Sequence, residues 1–189
     1  MVIFRQMAED LTDLVCDKFH QSIPCETAHT PLYGGDLSTS LEEQALGLSE
    51  RYGLPLHTTM RLTTRHGSKS PEVLKMLNDR PAYASHICEC EPVTEAEIRF
   101  SIRNEWAKTL DDLRRRTRLG TGPCQACHCT AGAAQVLGEE RDLTFEQTFH
   151  EMNQFLQERW KGRYPVQKGV QVKQEQVIRS VYQAEDEWL

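Results

Sequence analysis

Cys88-Glu89-Cys90 and Pro123-Cys124-Gln125-Ala126-Cys127-His128-Cys129 are the two stretches that decide how this chain is read. They gather five of its seven cysteines into two tight groups. An odd number of thiols cannot all pair as disulfides within one chain. In a reducing compartment, clustered thiols read as metal ligands or redox groups rather than as staples. Two cysteines one residue apart can reach a single centre from an extended turn, and a second close set can complete the shell. Thiolates are soft ligands that suit iron–sulfur clusters and Zn2+. Four of them meet the requirement of a [2Fe–2S] cluster. Cys88 and Cys90 supply two. In the second group, Cys124 and Cys127 form C-x2-C, whereas Cys124 and Cys129 form C-x4-C. Spacing alone leaves that choice open. The bland alternative is a set of small core residues, which would not need such clustering.

Outward from the cysteines, the chain reads as helices. Thr94-Glu95-Ala96-Glu97 has the form of a capping box, in which Thr accepts from a free amide and Glu reaches back. It opens a helix through Ile98, Ile102 and Trp106, with Trp106 expected as a core anchor. Thr109-Leu110-Asp111-Asp112 begins a second short helix, which ends in Arg114, Arg115, Arg116 and Arg118 before Gly120 and Gly122. The small residues Ala131, Gly132, Ala133 and Ala134 predict a tightly packed helix after the second group. Thr144-Phe145-Glu146-Gln147 caps a longer one, with Phe149, Met152, Phe155, Leu156 and Trp160 on its apolar side. A last helix is expected over residues 173–184, burying Val177, Ile178, Val181 and Tyr182.

Toward the N-terminus, Phe4, Met7, Ala8, Leu11, Leu14, Val15 and Phe19 form one apolar stripe at helical spacing. Cys16 lies on that stripe and reads as a core residue. Pro24, Pro31, Gly34 and Gly35 mark a loop that carries Cys25. Ser40-Leu41-Glu42-Glu43 is a further capping box, and its helix should run to Tyr52 and stop at Gly53. Residues 54–69 are ambiguous, with a short strand among the expectations. Ser70-Pro71-Glu72 then starts a short helix, with Ser70 as cap and Pro in the first turn, where its missing N–H costs little. No internal repeat and no low-complexity segment stands out.

The net charge of −6 argues against nonspecific nucleic-acid binding. No apolar run approaches the ~20 residues that span a bilayer. The opening Met1-Val2-Ile3-Phe4-Arg5 is too short, and too soon acidic, for a secretory signal. These features predict a cytoplasmic protein. No Ser/His/Asp pattern or carboxylate pair marks a catalytic centre. His86 and His128 flank the thiols and read as surface or supporting residues, although imidazole could replace a thiolate in a zinc site.

The stretch Cys88-Glu89-Cys90-Glu91-x-Val93-Thr94-x-x-Glu97, followed by Leu110-x-Asp112-Leu113-Arg114-Arg115-Arg116-Thr117-Arg118-x-Gly120-x-Gly122-x-Cys124-Gln125, resembles the C-terminal region of the A subunits of anaerobic glycerol-3-phosphate dehydrogenases. Met7-Ala8-Glu9, Val15-Cys16 and Glu158-Arg159-Trp160-Lys161-Gly162 extend the likeness over most of the chain. That region contains a domain similar to bacterioferritin-associated ferredoxin. The resemblance implies a [2Fe–2S] cluster on Cys88, Cys90, Cys124 and a fourth thiol. The dehydrogenase pattern, Cys-Gln-Gly-x-x-Cys, favours Cys129. The C-x2-C of the ferredoxin itself would favour Cys127, which stands as the alternative fourth ligand. Ala126 departs from the family in occupying the usual glycine position.

The resemblance also implies a mainly α fold in three parts. Residues 1–80 would be the helical tail of a flavoprotein region with its linker. Residues 81–140 would form a helix-turn-helix [2Fe–2S] domain, and residues 141–189 a C-terminal helical extension. The parent flavoproteins bind FAD through a glycine fingerprint that brings backbone up to a pyrophosphate. Here Gly120-Thr121-Gly122 has Gln125 at the third glycine position and no clear strand before it. FAD is therefore expected on a missing or partner flavin domain. The implied function is electron transfer in glycerol-3-phosphate oxidation, by a chain not catalytically complete alone. Its partners would be a downstream electron carrier and the flavin-binding portion or subunit of the dehydrogenase. It would meet the inner membrane only peripherally, through partner subunits. The rival reading is a structural or interaction module with Cys-ligated zinc or no metal. A third is a thiol-based sensor or carrier that uses Cys127. The four arginines 114, 115, 116 and 118 would either raise the potential of an anionic cluster or complement a helix dipole.

Overall fold

Helices follow one another along almost the whole chain, and the computed structural model describes residues 3–183, with side chains as far as Ser180. The fold is mainly α, as the sequence predicts. The chain divides between Asp36 and Leu37 into two units.

The first unit is helix α1, Phe4–Lys18, and the loop after it. The helix forms as its spacing predicts, but none of its residues is buried. Phe4, Met7, Leu11, Leu14 and Phe19 are all exposed, and Cys16 is only half-buried. The stripe is therefore not a core face within this unit, and Cys16 is not a core residue. Arg5 Nη2 donates to the Thr27 carbonyl at 2.7 Å and ties the loop back to the helix.

The second unit starts with α2, Leu41–Tyr52, closed by the predicted capping box at Ser40 and by Gly53 in the left-handed conformation. Residues 54–69 hold no strand. They form α3, Leu56–His66, followed by a 3-10 turn. The ambiguity resolves to a helix because Thr58, Thr59, Leu62, Thr63 and His66 recur at helical spacing and are all buried. Helix α4 spans Ser70–Asp79. Ser70 does not cap it. Its hydroxyl is buried and donates to the Gly67 carbonyl at 2.7 Å.

A two-stranded antiparallel hairpin follows, β1 His86–Cys88 with β2 Val93–Thr94, and a bulge between His86 and Cys88 interrupts the register. Cys90 sits at its tip. Helix α5, Glu95–Asn104, begins with Thr94 accepting from the Glu97 amide at 3.3 Å. The Glu97 carboxylate does not complete a capping box, because it turns inward to Arg65 and His66. Helix α6, Leu110–Thr117, has the full capping box at Thr109. Trp106 lies between these two helices and is 78% exposed, so it is not a core anchor. Helix α7, Thr130–Arg141, presents Ala133, Ala134, Val136 and Leu137 to the interior. Helix α8, Phe145–Arg163, buries all five predicted residues: Phe149, Met152, Phe155, Leu156 and Trp160. Helix α9, Val170–Gln183, packs Ile178 against the core but leaves Val177 exposed. The expected burial of Val181 and Tyr182 lies outside the described side chains, and residue 184 outside the described chain.

Two cores share α5. Ala96 and Phe100 join Leu48, Leu62, Val73, Leu74 and Tyr83 from α2, α3, α4 and the turn before β1. Ile98 joins Leu110, Leu113, Leu119, Leu137, Phe155 and Trp160 from the later helices, together with Cys88, Ala126 and Cys129. Each fully buried Leu or Ile contributes roughly 1.5–3 kcal/mol by leaving water. The two cysteine groups are thus fixed to the wall of the larger core. Among the described residues, no helix is long and apolar enough to cross a membrane.

Candidate metal centre

The hairpin tip and the turn before α7 bring the two cysteine groups together. The Cys129 thiol lies within interaction reach of the Cys88 sulfur, and the Cys90 thiol within reach of that of Cys124. The Cys129 thiol itself donates to the Ala126 carbonyl at 3.9 Å. Cys88 and Cys129 are buried, Cys124 is half-buried and Cys90 is exposed. The site therefore has an inner pair and an outer pair, each taking one sulfur from each group. Cys127 lies half-buried in the same turn, its amide bonded to the Cys124 carbonyl at 3.2 Å. The inner partner of Cys88 is Cys129, the thiol that the C-x4-C reading selects.

Backbone amides converge on the inner pair. The Cys88 thiolate is favoured first by the Cys129 thiol beside it, and also by the backbone N–H groups of Gly120, Glu91 and Cys90. Burial opposes ionisation, yet these neighbours win and bring the Cys88 thiol down to about 6. The Cys129 thiol moves the other way, because it lies against the Cys88 sulfur, is itself buried, and faces negative charge on Cys88 and Cys124. Cys90 also lies above its ordinary range: the Cys124 backbone favours its thiolate, but the Cys124 side chain, burial and the charges beyond outweigh it. A concave set of N–H groups around one sulfur is a nest for negative charge.

Close packing sets the approach of the two turns. A Cβ at Gly122 would stand 2.3 Å from Cβ of Cys90. Gly120, at φ +70°, meets Ala126 so closely that a Cβ there would be 2.8 Å away. Gln125 and Ala126 both hold positive φ, at +53° and +79°. The glycine usual at position 126 would take that conformation without strain.

Of the four arginines named from the sequence, Arg118 reaches the first turn, at 3.7 Å from the Glu91 carboxylate. Arg114 and Arg115 pair with Asp111, and Arg116 with Asp112, along α6 itself. His86 bonds Thr58 Oγ1 at 3.2 Å and lies 3.5 Å from Glu89, and His128 is exposed.

Two arginines the sequence does not single out for a role also touch the turns. Arg65 on α3 donates to the carbonyls of Glu91 and Pro92 at 3.1 and 3.2 Å. Arg159 on α8 donates to Gln125 Oε1 at 2.6 Å and reaches the Gly120 carbonyl at 3.5 Å. Arg65 lies in the ambiguous 54–69 stretch, and Arg159 shows only as part of a flanking motif.

Among the described residues, no three His, Cys, Asp or Glu side chains form a ready-made group for one metal ion. The thiols stand two and two. That grouping, the softness of four sulfurs and the amide nest all fit a two-iron cluster, in which each iron takes two protein thiolates.

The model of the C-terminal domain of alpha-glycerophosphate oxidase matches residues 25–148. The A subunit of the anaerobic glycerol-3-phosphate dehydrogenase of Escherichia coli (strain K12) is 36% identical over 183 residues, covering 97% of this chain and 32% of that protein. Its counterpart in Haemophilus influenzae is 34% identical over 185 residues, 96% of this chain and 31% of its own. The A1 subunit of the Haloferax volcanii enzyme is 33% identical over 175 residues, 92% and 28%. The chain spans about a third of the length of these curated relatives. No solved structure matches it significantly. The match over residues 25–148 places the chain in the family of the C-terminal domain of alpha-glycerophosphate oxidase.

Proposed function

We propose that this chain is the C-terminal iron–sulfur electron-transfer module of an FAD-dependent, anaerobic-type glycerol-3-phosphate dehydrogenase. FAD and the substrate site belong to a separate flavin-binding portion of that enzyme, and a downstream carrier takes the electrons. The observation that carries this reading is the meeting of Cys88 with Cys129 and of Cys90 with Cys124. A [2Fe–2S] cluster held by these four thiolates would supply one-electron redox chemistry. The relatives are named as single subunits, which supports further subunits, through which the chain would lie at the cytoplasmic side of a membrane.

The chain's own residues do the rest. The amides of Gly120, Glu91 and Cys90 stabilise negative charge at the inner sulfur. Apolar packing around Cys88 and Cys129 keeps water from the inner pair. The exposure of Cys90 opens the outer pair to a partner. Such asymmetry suits a carrier, which needs a protected centre with one accessible edge.

Metal and acid-labile sulfide analysis of the anaerobically purified chain tests the proposal, together with EPR after dithionite reduction. Two irons and two sulfides per chain, with visible bands that bleach on reduction, are expected. A colourless protein with one stoichiometric zinc would replace this reading with the structural one.

A further inference from the structure

Glu91 follows Cys90 in the first turn, and Gly120 leads into the second. The carbonyl of each accepts from an arginine on a distant helix: Glu91 from Arg65 at 3.1 Å, Gly120 from Arg159 at 3.5 Å. Each cysteine turn is thus held by a guanidinium from outside it.

We propose that Arg65 and Arg159 are a pair of positioning residues that clamp the two cysteine turns against each other. This rests on the electron-carrier reading for its purpose but not for its geometry.

Arg65 is built for the task. Its side chain is 5% exposed and is held by Glu97, which is wholly buried, through Nε at 2.5 Å and Nη2 at 2.7 Å. A planar fork chelated on one edge presents its remaining N–H groups in a fixed direction. Those groups meet the carbonyls of Glu91 and Pro92, immediately after Cys90. Lysine could keep the charge beside Glu97, but its three donors on one nitrogen could not make the four bonds that Arg65 makes. Arg159 has a different support. Gln125 passes its grip along the second turn, taking Arg159 on Oε1 and donating through Nε2 to the Gly122 carbonyl at 3.0 Å. Gly122 in turn abuts Cys90. A line of contacts therefore runs from α8 through Gln125 and Gly122 to the outer pair.

The test uses the whole chain carrying R65K or R159K, with wild type alongside. In metal-free protein, a short bifunctional thiol reagent, dibromobimane, should bridge Cys90 to Cys124 in wild type, as read by peptide mass spectrometry. Each variant should bridge them about tenfold more slowly, the effect of losing one hydrogen bond to a charged group. In protein reconstituted with iron and sulfide, each variant should show a shifted reduction potential and altered EPR g-values, because the turns then hold the sulfurs less firmly. Loss of Arg159 strands no buried carboxylate, so R159K should fold even where R65K does not. Folded variants with wild-type bridging and an unchanged potential would overturn the clamp. If wild type binds no iron, the carrier reading falls while the bridging assay still decides the geometry.

Discussion

Gly122 packs against Cys90 so tightly that its backbone and the Cys90 side chain leave no room for a methyl group between them. A Cβ there would lie 2.3 Å from Cβ of Cys90 and 3.3 Å from its sulfur. The outer thiol pair depends on that absence. G122A should push the hairpin tip away from the second turn and cost about 1–3 kcal/mol, as overpacking does in a filled site. Urea denaturation reads the cost. Iron content of the anaerobically purified protein should fall sharply with it, and a wild-type iron content would show that the tip can yield.

Cys127 and Cys129 separate cleanly by position. Cys129 lies beside Cys88 in the inner pair and is 2% exposed, whereas Cys127 is half-buried in the turn. C129A should lose iron by more than the ~10–100-fold typical of removing a residue that only supports a ligand. C127A should keep iron, visible spectrum and EPR signal. The reverse result would move the fourth ligand to Cys127.

His66 makes stability depend on pH. Burial alone would lower its pKa, but hydrogen bonds to Glu105 and Glu97, and their charges, raise it to about 9. The ring lies 3.3 Å from Glu105 and 3.0 Å from Glu97. A group bound more tightly to its proton in the folded state stabilises fully below its unfolded pKa of ~6.5. That stabilisation is lost as pH rises from there through about 9. The loss is on the order of 3 kcal/mol. Urea midpoints of wild type and H66Q measured from pH 6 to pH 9.5 should differ most at pH 6, with H66Q the less stable, and converge as pH rises, because the opposing titration of Cys88 is common to both. A difference between them that does not change with pH would mean that His66 keeps one charge state throughout.

The thiols are legible in the sequence because clustering is itself a chemical signal. Helix starts at Ser40, Thr109 and Thr144 are legible because capping is local, and all three form as boxes. The face of α8 is legible because one period of burial governs it. Arg65 and Arg159 are not, since their partners are backbone carbonyls, which leave no mark on side-chain pattern. The fate of α1 is not legible either. Its spacing correctly gives a helix, but periodicity cannot say whether an apolar face is covered. Glu97 misleads in a third way: the helix start at Thr94 is right, but no capping box forms, because the Glu97 carboxylate serves Arg65 and His66.

Trp106 tests the difference between composition and position. An aromatic at the end of a helical stripe reads as an anchor, and truncating a true anchor costs about 3–5 kcal/mol, but the helix stops at Asn104, before Trp106. Here α5 ends with the Ala107 amide bonding back to the Ser101 carbonyl at 3.1 Å, which turns the intervening Trp106 to φ +62°. A bulky residue held in that region carries roughly 1–3 kcal/mol of strain. With 78% of the residue exposed, little burial offsets it. Asparagine tolerates the left-handed conformation, because its short polar side chain can bond locally. W106N should therefore leave the chain as stable as wild type or more so, by about 1 kcal/mol, the lower end of that strain. Thermal and urea unfolding read the sign. A loss of several kcal/mol would instead mean that the indole packs against something, and that the exposed ring is part of an interface.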